Sequence, residues 1–141
     1  MIRLARIILE ASDNQDIEDI KRDVQMARSV KFWMEPEFGA EARAFPKNGT
    51  PNSIEKHNIK NVNNGVGFAS YDSKGEINGI LSFNDKGMFK IVTREDSLRQ
   101  GIGMELLDYA NAHGVDLLKV VGKNNYSNSG RSLILKWLDK Q

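Results

Sequence analysis

The chain has 141 residues, a net charge of +1 and no cysteine. That length fits one domain, residues 1–141, with a real apolar core. The charge supplies no global field toward nucleic acid or an anionic membrane. The missing cysteines exclude disulfides, thiolate catalysis and zinc–cysteine sites. No apolar run approaches a membrane span, and the opening Met-Ile-Arg-Leu-Ala-Arg lacks a long apolar segment, so a soluble, cytoplasmic protein is expected.

Ile2 to Glu10 is rich in aliphatic residues and predicts a first strand. Ser12 or Asp13 suits the N-cap of a helix reaching to about Val30. Ile17, Ile20, Val24 and Ala27 share one face of that helix. Its first turn holds Asp13, Asp16 and Glu18, where negative charge suits the helix dipole. The segment Phe32-Trp33-Met34-Glu35-Pro36-Glu37-Phe38 predicts a bend, because Pro36 disfavours a helical Glu35. A short helix near Ala40 to Ala44 follows. The aromatic residues Phe32, Trp33, Phe38 and Phe45 suit core packing or one wall of a substrate pocket.

Pro46 to Gly65 is polar and rich in turn formers. It predicts a loop, functional or mobile, with a helical turn around Ser53 to Ile59. Val66 to Asp72 and Ile77 to Asn84 read as two strands joined by the turn Ser73-Lys74-Gly75-Glu76. Asp85-Lys86-Gly87 turns the chain into a further strand, Met88 to Thr93. A helix over Gly101 to Ala112 follows, with Gly114 placed to end it. The apolar run Val115 to Val121 has the composition of a buried strand. Ser127 or Asn128 caps a last helix through Asp139. The helical crossover would lay Val115–Val121 parallel to Met88–Thr93.

The richest stretch is Leu98-Arg99-Gln100-Gly101-Ile102-Gly103-Met104-Glu105-Leu106-Leu107. Two glycines at a strand-to-helix turn let backbone N–H groups approach a ligand, and the helix start adds unpaired N–H groups and a positive dipole end. That is the physics of a phosphate site; a tight turn would use the same glycines for geometry alone. A dinucleotide fingerprint needs a third glycine where Leu106 stands, and no Gly-Lys-Ser/Thr of a Walker loop occurs.

Arg99-Gln100-Gly101-Ile102-Gly103, followed by Glu105-Leu106-Leu107, resembles the acetyl-CoA signature of the GNAT acetyltransferases, Arg/Gln-x-x-Gly-x-Gly/Ala. The resemblance spans roughly residues 62–138. It implies an α/β (α+β) fold with a mixed, mainly antiparallel sheet, flanking helices and a splayed parallel strand pair. It implies that acetyl-CoA is the acyl donor and that an amine, on a small molecule or a protein, is the acceptor. The pantetheine arm would lie along Ile91, Val92 and Thr93, adding like a β-strand. The pyrophosphate would sit on Arg99, Gln100, Gly101, Ile102, Gly103 and Met104. Asn125 and Asn128 would reach the pantetheine amides. The family's first Arg or Gln position holds Leu98 here, with the basic residue one place later.

Acyl transfer to an amine needs a base for the ammonium proton and an acid for the departing thiolate. For the base, Glu95 and Asp96 follow the strand and lie near the expected cleft, or form a solvated loop; Glu95 is the candidate. The family often uses a Tyr on the last helix as the acid. With Asn128 as the family's Asn, that position holds Leu135, and Tyr126 is the nearest Tyr. The two histidines, His57 and His113, are too few for a metal site. Two further functions compete: a degenerate relative acting through a protein partner, and an acetyltransferase toxin acting on charged tRNA. The near-neutral charge argues against the last. A homodimer is compatible with this reading.

Overall fold

The computed structural model describes residues 17–27, 38–59, 65–83, 89–97, 100–122 and 128–141. The first strand, Ile2 to Glu10, and the cap at Ser12 or Asp13 lie outside the described residues. Residues 17–26 are helical (α1), and Val24 on their apolar stripe is fully buried with Ile20 and Ala27 beside it. A short helix, α2 (Phe38–Ala42), follows, a little earlier than the sequence predicts.

Four strands form one antiparallel sheet in the order β1 (Ile54–Ile59), β2 (Gly65–Tyr71), β3 (Ile77–Phe83), β4 (Phe89–Thr93). The last three stand where the sequence predicts strands. β1 corrects the expected loop and helical turn over Ser53 to Ile59. It pairs along its length with β2, from Ile54 opposite Ser70 to Ile59 opposite Gly65. Its inward-facing series includes Glu55 and His57 as well as Ile59, so no apolar alternation marks it. Polar edge strands of this kind resist edge-to-edge pairing.

Side chains alternate across the pleat and divide the apolar residues between two faces. Phe68 and Leu81, opposite one another, join the large cluster under the later helices. Ala69 and Ile80, the next pair, join a smaller cluster with Ala42, Phe45, Ile59, Tyr71 and Ile77. Gly67 is needed there: a Cβ would lie 2.5 Å from the Phe45 ring.

After β4 a 3-10 turn (Glu95–Ser97) leads toward α3 (Ile102–Ala112). Ile102, Leu106, Leu107 and Ala110 bury one stripe of α3 against the sheet. Gly79 of β3 lets it settle, since a Cβ there would lie 2.6 Å from Ile102 Cγ2. Gly114, at φ 98°, ends α3 as expected: the Val115 N–H reaches back to the Ala110 carbonyl, 3.1 Å away.

The next segment corrects the expected strand Val115–Val121. Leu117–Val121 is a helix, α4, so the sheet gains no parallel neighbour for β4 among the described residues. Its burial has helical spacing. Leu117 and Val121, four apart, are fully buried, while Lys119 between them is exposed. A short apolar run suits a buried strand or a buried helix equally by composition, and packing selects the helix.

The last helix, α5 (Asn128–Asp139), starts and ends where predicted. Ile134, Trp137 and Leu138 are fully buried in the large cluster. The Trp137 indole N–H donates to Asp108 Oδ1 at 2.9 Å, so the largest core side chain leaves no orphan donor. Lys21 meets Asp139 at 2.9 Å and ties α1 to the end of α5. Among the described residues no helix is long and apolar enough to cross a membrane.

Candidate functional site

The predicted cofactor loop divides into two parts. Gly101 is the N-cap of α3 in the left-handed conformation, φ 76°, and no side chain caps the helix there. A Cβ on Gly101 would enter open space. Its glycine is therefore a conformational requirement, and it leaves the first turn of α3 without a side-chain acceptor. Gly103 has another reason to be glycine. A Cβ there would lie 2.8 Å from Leu133 Cδ2 and 3.6 Å from Ile91 Cδ1, so its bare Cα lets α5 approach α3.

The remaining predicted residues separate in the same way. Ile102 is buried in the core, and Met104 is half-buried against it. Ile91 faces the large cluster and Val92 the small one, with Thr93 half-buried at the end of β4. β4 is an edge strand of the described sheet, paired with β3 alone. Glu95 is exposed in the turn beyond it. Gln100 is exposed just before Gly101. Asn128 opens α5. Arg99, Asn125 and Tyr126 lie outside the described residues.

The structure adds a cavity that the sequence does not announce. It measures about 760 Å³ and opens where β1 and β3 begin and β2 and β4 end, beside the first turns of α3. Asp72, Asn78, Arg94, Asp96, Glu105 and Tyr109 line it, and Gln100 and Ile102 join it to the start of α3.

Arg94 organises one wall. Its Nη2 donates to Asp72 Oδ2 at 2.9 Å, its Nη1 to the Ile77 carbonyl at 3.0 Å, and its Nε to Asp96. Its backbone N–H donates to the Asn78 carbonyl at 2.8 Å. Asp72 also accepts from the backbone N–H groups of Lys74 (2.8 Å) and Glu76 (3.0 Å), which closes the β2–β3 turn around left-handed Gly75. The Arg94 guanidinium holds the Asp72 carboxyl below the usual carboxylate range, helped by the Glu76 N–H. It does the same to Asp96. The two carboxylates in turn raise Arg94.

Asn78 is the other organising residue. The β2–β3 register runs Ser70 opposite Gly79 and then Tyr71 opposite Ile77, so Asn78 is the extra residue of a bulge. It is only 5% exposed, and its Oδ1 has no hydrogen-bond partner among the described residues. A sequence signal existed: Asn78 is a lone polar residue in the apolar run from Ile77 to Leu81. Tyr109 is held edge-on to Phe68, centroids 5.9 Å apart, and stacks on His113 at 3.8 Å. Neither histidine has metal-ligand company, and among the described residues no three His, Asp or Glu side chains are grouped to hold a metal ion.

No protein-family model, curated protein or solved structure matches this chain.

Proposed function

We propose that the chain is an acyl-CoA-dependent N-acyltransferase, with the donor's pyrophosphate at the start of α3 and its pantetheine arm along β4. The observation that carries this reading is the passage from β4, an edge strand of the described sheet, to a helix whose N-cap is Gly101, left-handed and without a side-chain cap. Backbone N–H groups and the positive end of an eleven-residue helix favour a phosphate there. A thioester held by β4 would react chiefly through proximity and orientation, with a strand N–H as oxyanion donor. Glu95 takes the role of base and Tyr126 that of acid. The acceptor is an amine.

A second reading is a protein that binds CoA without transferring its acyl group and acts through a protein partner. Two observations favour it: α4 stands where the splayed partner strand is expected, and Gly103 is accounted for by packing against Leu133.

The test is a thermal shift with acetyl-CoA, followed by transfer of labelled acetyl to a panel of amines. Acetyl-CoA at about a hundred times its Kd stabilises the fold by about 2.7 kcal/mol. The informative variant is Gly101→Asp, because a Cβ there meets nothing. It sets a carboxylate against the phosphate position, and Asp tolerates the left-handed conformation better than most residues. The shift should vanish in a folded variant. Absence of any shift in the parent protein would defeat both readings, and a shift without transfer to any amine selects the second.

A further inference from the structure

We infer that the cavity between the sheet end and α3 is a binding site for an alkylammonium ligand, with Asn78 and Glu105 as its recognition groups. The inference does not depend on the acyltransferase reading, because the start of α3 favours an anion and the cavity favours the opposite charge.

Three observations meet at this place. The first is charge. Among the described residues, Asp72, Asp96 and Glu105 line the cavity against a single cation, Arg94. Arg94 is already occupied by Asp72, Asp96 and the Ile77 carbonyl. Two of the three carboxylates are thereby compensated by one guanidinium, and the lining keeps an excess of negative charge around Glu105. The second is Asn78, whose side-chain oxygen is buried without a donor among the described residues. A buried acceptor left unpaired is costly, so a ligand that supplies an N–H recovers that cost on binding. The third is shape. About 760 Å³ falls within the range of small-molecule sites. Ile54, Ile102 and the Tyr109 ring provide apolar lining for a methylene chain.

These features select the ligand class. An ammonium has three donors and no acceptor, which matches a lining of carboxylate, amide and hydroxyl oxygens. A metal ion is a poorer match, since the carboxylates are not grouped for ligation among the described residues. An anionic ligand would meet unfavourable charge and leave the Asn78 oxygen unpaired. The alkylammonium could be a free amine or a lysine side chain, and the recognition chemistry is the same.

The experiment is calorimetric titration of the full chain with putrescine, with a lysine-containing peptide, and with butanediol as the uncharged control. Binding of putrescine or the peptide, and not of butanediol, supports the proposal; the stronger of the two identifies the source. Asn78→Leu, close in size, should weaken binding about tenfold, the scale of a hydrogen bond to a charged group. Without ligand its thermal midpoint should hold or rise, because an unpaired buried acceptor is removed; a purely structural Asn78 would instead lower it. Glu105→Gln, on the exposed surface of α3, tests the charge independently should Asn78→Leu fail to fold, and should weaken binding severalfold. Gly101→Asp should leave putrescine binding intact, so failure of this site and failure of the acyl-CoA reading are told apart. The proposal is overturned if neither amine binds at millimolar concentration, if butanediol binds equally, or if both substitutions leave affinity unchanged.

Discussion

The start of α3 and the cavity beside it share Gln100 and Ile102, yet they present opposite electrostatics. At the helix start a left-handed glycine leaves backbone N–H groups and the positive dipole end. In the cavity three carboxylates line the wall, and among the described residues the guanidinium of Arg94 engages two of them, Asp72 and Asp96. The first region is made of backbone, and almost any sequence with the right glycine could build it. The second is made of side chains from β2, β3, the turn after β4, and α3, brought together by the sheet. On the two proposals one molecule would hold an anionic and a cationic group a short distance apart, and each region can be perturbed without the other.

The largest expected effect removes both regions together. They depend on α3 lying close to β3 over Gly79, where a Cβ would come within 2.6 Å of Ile102 and 3.2 Å of Leu106. Gly79→Val should cost about 3 kcal/mol in urea denaturation, at the upper end for overpacking. It should abolish the acetyl-CoA shift and putrescine binding alike. An unchanged midpoint would mean that α3 can move away at little cost and that the two regions are not held in register.

A smaller effect separates them. Arg94→Ala removes the bonds to Asp72, Asp96 and the Ile77 carbonyl and should lower stability by about 2 kcal/mol. The same change leaves the cavity carboxylates uncompensated, so putrescine should bind more tightly while acetyl-CoA affinity stays the same. Weaker putrescine binding in a folded Arg94→Ala protein would show that Arg94 positions the site instead of opposing its ligand.

The smallest effect is a pH dependence. Asp72 and Asp96 have their folded pKa values lowered by Arg94, so the paired, ionised form is favoured by folding. Their contribution is complete above the unfolded carboxylate value of about 3.9 and is lost as pH falls through the lower folded values. Stability measured by urea across the acid range should fall there, with a shallower slope in Arg94→Ala. Tyr71 acts at the other end. Burial first, and Glu55 second, raise its pKa, while its hydroxyl donates to the Pro46 carbonyl at 2.9 Å. Its neutral form is favoured by folding, so stability should also decline as pH rises above about 10.

What was legible in the chain follows from which signals are local. β2, β3 and β4 are short runs rich in aliphatic and aromatic residues, punctuated by Ser73-Lys74-Gly75 and Asp85-Lys86-Gly87. The α3 and α5 stripes recur at helical spacing, and Gly114 ends α3 where a left-handed residue is required. The glycine-capped start of α3 was visible for the same reason: a backbone conformation leaves its mark in the residue that must adopt it. β1 left no such mark, because its inward positions include Glu55 and His57, and only pairing with β2 makes it a strand.

The sequence by itself determined the meander, the two long helices and the turn between β4 and α3, all set by periodicity and glycine over a few residues. Tertiary packing decided the rest. Leu117–Val121 became a helix because Leu117 and Val121 could be buried together on one side of it. Gly103 became a contact with Leu133, thirty positions away in the chain. Asp72, Asn78, Arg94 and Glu105 became one cavity only when the sheet aligned its strand ends beside α3. Such a juxtaposition depends on register and on helix seating, and neither has a signature in a single window of sequence.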